Sequence, residues 1–364
     1  MSSLFSRLRA LFYMLNKEAQ LAGISKISMY RQTLQFCLKT RLGPRYFVVA
    51  GMARKSFAEQ DKWQHISAKD YYAALKVLNP PQYRKLTQSK LSEKALYKLM
   101  HIPTPELFGY FHPYKGFDNT GQPLTDAAQL QALMNAHSDS ILCIKPIEGW
   151  GGAGVMAGRI VLDDKAQQPL FQPLHSKQQM SAKELINCCR GKASNAEFVL
   201  EAYIQQSEQF MALNPDSVNT LRIWVLESTP GQAQVIGAYL RIGRAGSAID
   251  NASAGGIMCP VRLADGVVEP GLTKYTPHRD DITQHPDHNA QLAGIALEHW
   301  QQIKSFACKV LLRLPYTRFA GLDVTMTTQG PVLVETNVAP DKDGAAHANI
   351  PSIRLREAAE KSYV

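Results

Sequence analysis

The stretch Phe319–Asn337, FAGLDVTMTTQGPVLVETN, has two strand-like runs with Gln329-Gly330 near the turn between them and reads as a β-hairpin. Pairing across that turn brings Asp323 opposite the region of Glu335 to Asn337. Strand alternation predicts Leu333, Glu335 and Asn337 on one face. Two carboxylates and an amide oxygen then converge at one end of the hairpin. They form a hard-oxygen set suited to Mg²⁺ bridging nucleotide phosphates. A solvated hairpin face with ordinary acidic residues would show the same pattern.

Upstream, ILCIKP ends an apolar run with Lys145, and GWGGAGV follows before a further strand-like run, VMAGRIVL. A Walker loop needs Gly-Lys-Ser/Thr leading into a helix, and a dinucleotide fingerprint needs GxGxxG opening one; neither is present. Gly149, Gly151, Gly152 and Gly154, with Ala153 among them, allow backbone amides to approach phosphate oxygens. Glycine-rich hairpins also occur without a ligand. A lysine leaving a buried strand adds to the phosphate reading, because a buried ammonium needs an anion. In FVLEAYIQQSEQF, backbone groups from Glu201 through Ala202 and Tyr203 to Ile204 suit an adenine edge, and Glu208 suits ribose hydroxyls. Arg222 in NTLRIWVL and Arg241 in YLRIG lie in apolar strands, where a guanidinium requires an anionic partner. A structural ion pair would serve for each. The expectation taken forward is that one or both face an activated carboxylate rather than a protein carboxylate.

The rest of the chain frames these motifs. With 364 residues, 45% of them hydrophobic, it can bury a sizeable core. No apolar run reaches the roughly 20 residues needed to cross a bilayer. The opening MSSLFSRLRALFYMLNKEAQ lacks a cleavage pattern and is read as part of the mature chain. Leu4, Leu8, Leu11, Phe12 and Leu15 recur at helical spacing, and the face they form is expected to pack on the body. Arg7, Arg9 and Lys17 would suit peripheral membrane association as an alternative. Pro80-Pro81 marks a break, giving a mainly helical region over 1–85. Residues 86–200, with the glycine loop, form a first lobe, and residues 201–364, with the hairpin, form a second.

A helix is predicted from Asn289 to Leu312, and residues 163–195 read as polar and loop-rich. Six cysteines without metal spacing read as reduced thiols of a cytoplasmic protein. The charge of +9 is spread along the chain without basic runs interleaved with aromatics, so no nucleic-acid partner is expected. His278, His285 and the HPDH spacing to His288 suit a polar loop better than a zinc site.

Taken in order, the motifs resemble the ATP-grasp superfamily over roughly residues 90–345, and most closely its branch associated with sugar transfer and surface-polysaccharide gene clusters. Lys94 in SEKALYKLMHIPTP matches the family's first lysine, and Lys145 before GWGGAGV matches the second. Glu201 and Glu208 match its hinge acids, and Asn219-Thr220-Leu221-Arg222 matches a branch signature. Arg241 and the Asp250–Gly256 segment follow, and the metal ligands fall on Asp323, Glu335 and Asn337.

The resemblance implies an α/β (α+β) fold with two lobes clasping ATP, preceded by the helical region. It implies ATP with Mg²⁺, or Mn²⁺ in its place, and small-molecule carboxylate and amine substrates joined through an acyl phosphate with release of ADP. Lys94, Lys145, the glycine loop, the 201–204 hinge and Glu208 would bind nucleotide. Asn219, Arg222, Arg241 and Asn251 would bind substrate, with Arg222, Arg241 and Lys145 also catalytic. The setting implied is cytoplasmic or at the inner face of the membrane, in surface-polysaccharide or natural-product biosynthesis. A small-molecule kinase and a non-catalytic nucleotide-binding module are the rival readings. One departure is VAPDKDGAAHANIP after Asn337, where the family pattern has a glycine soon after the proline; Lys342 and His347 receive no role.

Overall fold

Apolar spacing at three and four residues governs the chain as far as Leu99. A computed structural model describes residues 4–149, 151–162, 168–192, 197–250, 255–273 and 279–361. Its N-terminal part contains α1 (Leu4–Ala22), α2 (Lys26–Thr40), α3 (Pro44–Val49), α4 (Ala68–Leu78), α5 (Lys85–Gln88) and α6 (Lys90–Leu99). Ser25 and Ser67 cap α2 and α4, accepting from the amides of Ser28 and Asp70, each at 3.2 Å.

The buried face of α1 is only partly the expected one: Leu15 is buried and Leu11 packs at the edge of the core. Met14, Leu15, Glu18, Ala19 and Ala22 are buried, whereas Leu8 and Phe12 are exposed. Met14, Leu15, Ala19 and Ala22 pack on Met29, Phe36 and Phe47, and Glu18 between them is satisfied by Arg54, whose Nε donates to its carboxylate at 2.7 Å. Among the described residues, no helix is long and apolar enough to cross a membrane.

The first sheet has the order β2-β1-β6-β3-β4-β5. Its strands are β1 (Leu107–Phe111), β2 (Phe117–Asp118), β3 (Ile141–Pro146), β4 (Met156–Leu162), β5 (Pro169–Pro173) and β6 (Phe198–Ala202). Helices α7 (Ala127–Ala136) and α8 (Ala182–Lys192) cover one face, packing Leu130, Met134 and Leu185 on Leu142, Ile144, Phe171 and Leu200. Strand and helix thus occupy much of 163–195, where loop was expected. Strand alternation sends Cys143, Lys145 and Glu201 to the opposite face.

The second sheet, β10-β9-β8-β7-β11-β12, follows α9 (Glu208–Leu213). It comprises β7 (Thr220–Thr229), β8 (Gln232–Ile242), β9 (Ile257–Pro260), β10 (Leu272–Thr273), β11 (Phe319–Thr327) and β12 (Gly330–Asn337). Leu221, Ile223 and Val225 face α10 (Trp300–Arg313). Trp224 and Leu226 face α4 and α12 (Ile353–Glu360), the latter following the short α11 (Gly344–His347). The helical region is therefore a lid on this sheet. Buried Asn79 at the end of α4 fastens it, its amide donating at 2.7 Å to the carbonyls of both Phe319 and Val338.

Two expectations change here. The helix predicted from Asn289 begins only at Trp300, because His299, Gly294 and Asn289 adopt left-handed backbone. The amides of Leu292, Gly294 and Leu297 instead bond to Thr283, Val268 and Gly266 of a neighbouring loop. Leu292 and Leu297 are buried all the same, which mimics helical spacing in the sequence. The hairpin register places Asp323 opposite Glu335, but a β-bulge follows, with Val324 opposite Leu333. The extra residue, Val334, turns Leu333 into the core, so Leu333 does not share a face with Glu335.

Candidate active site

The face of the second sheet that carries Trp224 and Leu226 is apolar at one end and ionic at the other. Cross-strand partners point to the same side, and the register sets Tyr239 opposite Arg222, Arg222 opposite Asp323, and Asp323 opposite Glu335. A row of side chains thus crosses four strands. Asp323 accepts from both Nε and Nη2 of Arg222, the latter at 2.9 Å, and from Nη1 of Arg241 at 2.8 Å. Arg241 Nη2 donates to Asp250 at 3.0 Å, and the Thr220 hydroxyl donates to the other Asp250 oxygen.

Burial works to raise the Asp323 carboxyl pKa, but the two guanidinium groups outweigh it and hold the value below the usual range. The same charge balance, again against burial, raises Arg222. Both arginines pair with protein carboxylates, partners that the expectation had not given them, and both also line the cleft. Buried guanidinium groups need an anion, and Asp323 and Asp250 supply it.

Across the cleft, two ammonium groups share one carboxylate. Glu201, fully buried, contacts Lys145 through one oxygen and lies 2.7 Å from Lys94 Nζ through the other. Burial works to raise Glu201, yet the lysines lower it. Burial works to lower Lys145, yet Glu201 raises it. For Lys94, burial and the neighbouring Lys145 charge win, and its pKa falls. Of the two lysines, Lys145 lines the cavity and presents its ammonium there, an arrangement suited to an anion.

The cleft between the sheets has a volume of about 1590 Å³ including its open mouth. Of the expected residues, Lys145, Gly149, Gly151, Gly152, Ala153, the Glu201–Ile204 segment, Arg222, Arg241, Asp323, Glu335 and Asn337 line it. Gly151, Gly152 and Gly154 all take left-handed φ in the hairpin joining β3 to β4. A side chain at Gly152 would come within 2.6 Å of Ile249, so the loop closes against the second lobe at that point.

Other expected residues fall elsewhere. Lys94 is buried behind the lining, held by Thr104 Oγ1 at 2.9 Å and the Pro105 carbonyl at 3.1 Å. Glu208 is exposed at the start of α9 and does not line the cleft. Asn219, expected at substrate, is buried outside it. Its amide donates to the Phe210 and Asn214 carbonyls, both at 2.8 Å, shaping the approach to β7. Asn251 lies outside the described residues, as does His278. His285 and His288 are bonded through Nε2 to the carbonyls of Gly243 and Leu213, as a loop staple requires. The six cysteines are free thiols.

Lys90 is a lining residue that the motifs did not mark. Its Nζ lies 2.6 Å from Glu335 Oε1. The available signal was its position four residues before Lys94, one turn along the same helix face. Behind it sits Glu93, buried, accepting from the Thr336 amide at 2.6 Å and from the Tyr97 hydroxyl. Burial pushes the Glu93 carboxyl up to about 7.

Among the described residues, no cluster of three His, Cys, Asp or Glu side chains could hold a metal unaided. Asp323, Glu335 and Asn337 nonetheless fit Mg²⁺ of the kind that takes one or two carboxylates and completes its shell with phosphate oxygens and water. Asn337 Nδ2 is buried without a hydrogen-bond partner, and turning the amide over presents its oxygen at that position.

Two α+β lobes meeting over a cleft, with lysines and a glycine hairpin on one side and an Arg-Asp-Glu row on the other, form the ATP-grasp architecture. The chain belongs to the sugar-transfer associated ATP-grasp family, whose model matches residues 69–361. No curated protein matches it. Among solved structures, a biotin carboxylase from Campylobacter jejuni in complex with an ATP analogue is similar at 10% identity and TM-score 0.47, over 79% of this chain and 49% of that one. D-alanyl-alanine synthetase A from Vibrio cholerae is similar at 10% identity and TM-score 0.44, over 78% and 67%. An L-amino acid ligase from Bacillus licheniformis is similar at 13% identity and TM-score 0.40, over 76% and 48%. The chain thus spans about half to two thirds of the length of these structures, and likenesses so distant carry no information on substrate.

Proposed function

We propose that this protein is an ATP-dependent ligase that joins a carboxylate to an amine through an acyl phosphate, releasing ADP. The observation that carries the reading is the composition of one cleft: Lys145 and the left-handed glycine hairpin line one side, and Asp323, Glu335 and Asn337, a set suited to a divalent ion, line the other. ATP would lie between the sheets, with adenine against Ala202–Ile204 and phosphates under the glycine hairpin near Lys145. Mg²⁺ held by Asp323, Glu335 and Asn337 would neutralise phosphate charge as it develops.

The chemistry follows from the poor electrophilicity of a carboxylate. A carboxylate oxygen attacks the γ-phosphorus and ADP departs. The amine nitrogen then attacks the acyl carbon, inorganic phosphate leaves with that oxygen, and the amine loses a proton. Two anions must meet in the first step, so Lys145, Lys90, Arg222 and Arg241 offset the repulsion. Binding of an anionic substrate would let the arginines exchange part of their hold on Asp323 for that substrate. Closure of the glycine hairpin over bound nucleotide would keep water from the acyl phosphate.

The family's association with sugar transfer favours an amino acid or amine joined to a uronic-acid-like carboxylate, or the reverse, in surface-polysaccharide or natural-product biosynthesis. Nucleotide binding is tested by thermal unfolding with and without MgATP. The protein is expected to gain stability with saturation, and Lys145→Ala to weaken apparent affinity by about tenfold or more. Equal MgATP stabilisation of both proteins would remove Lys145 from the nucleotide site.

A further inference from the structure

The positive charge of this chain is concentrated where the acids are missing. Residues 1–58 hold ten Lys and Arg and a single acid, Glu18, whereas the remaining 306 residues hold 30 basic and 30 acidic side chains. The net charge of +9 therefore resides wholly in the first 58 residues, even though the basic residues themselves are spread along the chain. Glu18 is buried against Arg54, so it does not offset that charge at the surface.

The same segment exposes large apolar side chains in rows. On α2, Ile27, Leu34 and Leu38 are 80%, 61% and 73% exposed and stand on one helix face, with exposed Arg31 among them. The opposite face of α2 buries Met29, Thr33 and Phe36. On α1, Phe5, Leu8 and Phe12 form a second exposed row beside Arg9. The rows join where Phe12 meets the edge of Tyr30 on α2, with ring centroids 5.8 Å apart. Both helices precede the family match, which begins at residue 69, and neither contributes to the cleft lining.

We propose that the α1–α2 face docks this protein on an anionic lipid surface. Apolar side chains enter the headgroup boundary while Arg9, Lys26, Arg31 and Arg41 meet lipid phosphates. Charge selects the occupant: a second copy would bring the same uncompensated positive charge to the contact, whereas an anionic bilayer neutralises it. The face lies outside the nucleotide cleft, so this inference stands apart from the ligase reading.

The test is co-sedimentation of the full chain with vesicles of phosphatidylcholine alone and of phosphatidylcholine with one third phosphatidylglycerol. Binding to the anionic vesicles is expected to exceed that to neutral ones by about tenfold or more and to fall as salt rises. Ile27→Glu with Leu34→Glu and Leu38→Glu should abolish it without changing the urea unfolding midpoint. Lys26→Glu with Arg31→Glu and Arg41→Glu, which leaves the apolar row intact, should weaken it sharply. No binding to anionic vesicles, equal binding to both kinds, or full binding by the apolar-row variant would overturn the proposal. So would a wild-type dimer that the apolar-row variant splits in solution without any vesicle binding, since a second copy would then cover the face.

Discussion

Replacing Glu201 by Gln is expected to destabilise the folded protein by about 3–5 kcal/mol, the cost of leaving a buried charge without its partner. Lys94 and Lys145 share this one carboxylate, and Lys94 is buried like Glu201. Without Glu201 the two ammonium groups repel each other in a poorly hydrated site, and one of them is expected to lose its proton near neutral pH. Urea unfolding checks the magnitude.

The pH dependence checks the mechanism. The Glu201 pKa is lowered in the folded state, so its stabilising contribution is fully present above the unfolded value of about 4.3 and is lost as pH falls through the folded value. Wild-type stability should therefore fall on that acid limb, and Glu201→Gln should flatten it. A variant as stable as wild type, with an unchanged acid limb, would mean that the carboxylate does not hold the lysines together. MgATP should partly restore the variant, because phosphate would replace the missing anion beside Lys145.

Asp323→Asn is expected to lower turnover per folded molecule by roughly 10³-fold and, by leaving two guanidinium groups short of an anion, to destabilise the chain by about 3–5 kcal/mol. Asp323 connects the candidate metal position to both arginines, accepting from Arg222 and Arg241 at once. An amide keeps the shape but forfeits the negative charge on which metal ligation and arginine placement both depend. Glu335→Gln should give a smaller loss of the same kind and release Lys90, whose ion pair it removes. Steady-state kinetics over a range of Mg²⁺ separates the effects: a ligand loss raises the Mg²⁺ requirement, whereas a purely structural loss does not. Near-normal turnover by folded Asp323→Asn would remove Asp323 from the metal set.

Much of this arrangement was legible in the chain because it rests on local pattern. Gln329-Gly330 marked the neighbourhood of the hairpin turn and set Asp323 opposite the region of Glu335 to Asn337. The turn itself is Thr328-Gln329, with Thr327 paired to Gly330, and the bulge sets Asp323 opposite Glu335. Lys145 at the end of β3 and the glycine hairpin into β4 were legible for the same reason, as apolar strands flank both. What local pattern missed depends on distant packing. A bulge at Val334 displaced Leu333, because a single inserted residue leaves no mark on composition. The helix predicted from Asn289 failed because Leu292 and Leu297 are buried by a neighbouring loop rather than by helical turns. Arg222 and Arg241 were recognised as needing anions, but only the register of β7, β8 and β11 shows that Asp323 serves both. The Lys94–Glu201–Lys145 trio joins α6, β6 and β3, and no spacing rule anticipates it.

The acyl phosphate itself can be intercepted. The protein would be incubated with MgATP, hydroxylamine and pools of carboxylic acids, with ADP release and hydroxamate formation followed together by mass detection. Hydroxylamine should trap the activated acid as a hydroxamate with one ADP per product. Arg222→Ala should sharply reduce trapping while sparing MgATP binding. Release of AMP and pyrophosphate, or a stable phosphorylated product with no trappable acyl group, would contradict carboxylate activation through an acyl phosphate.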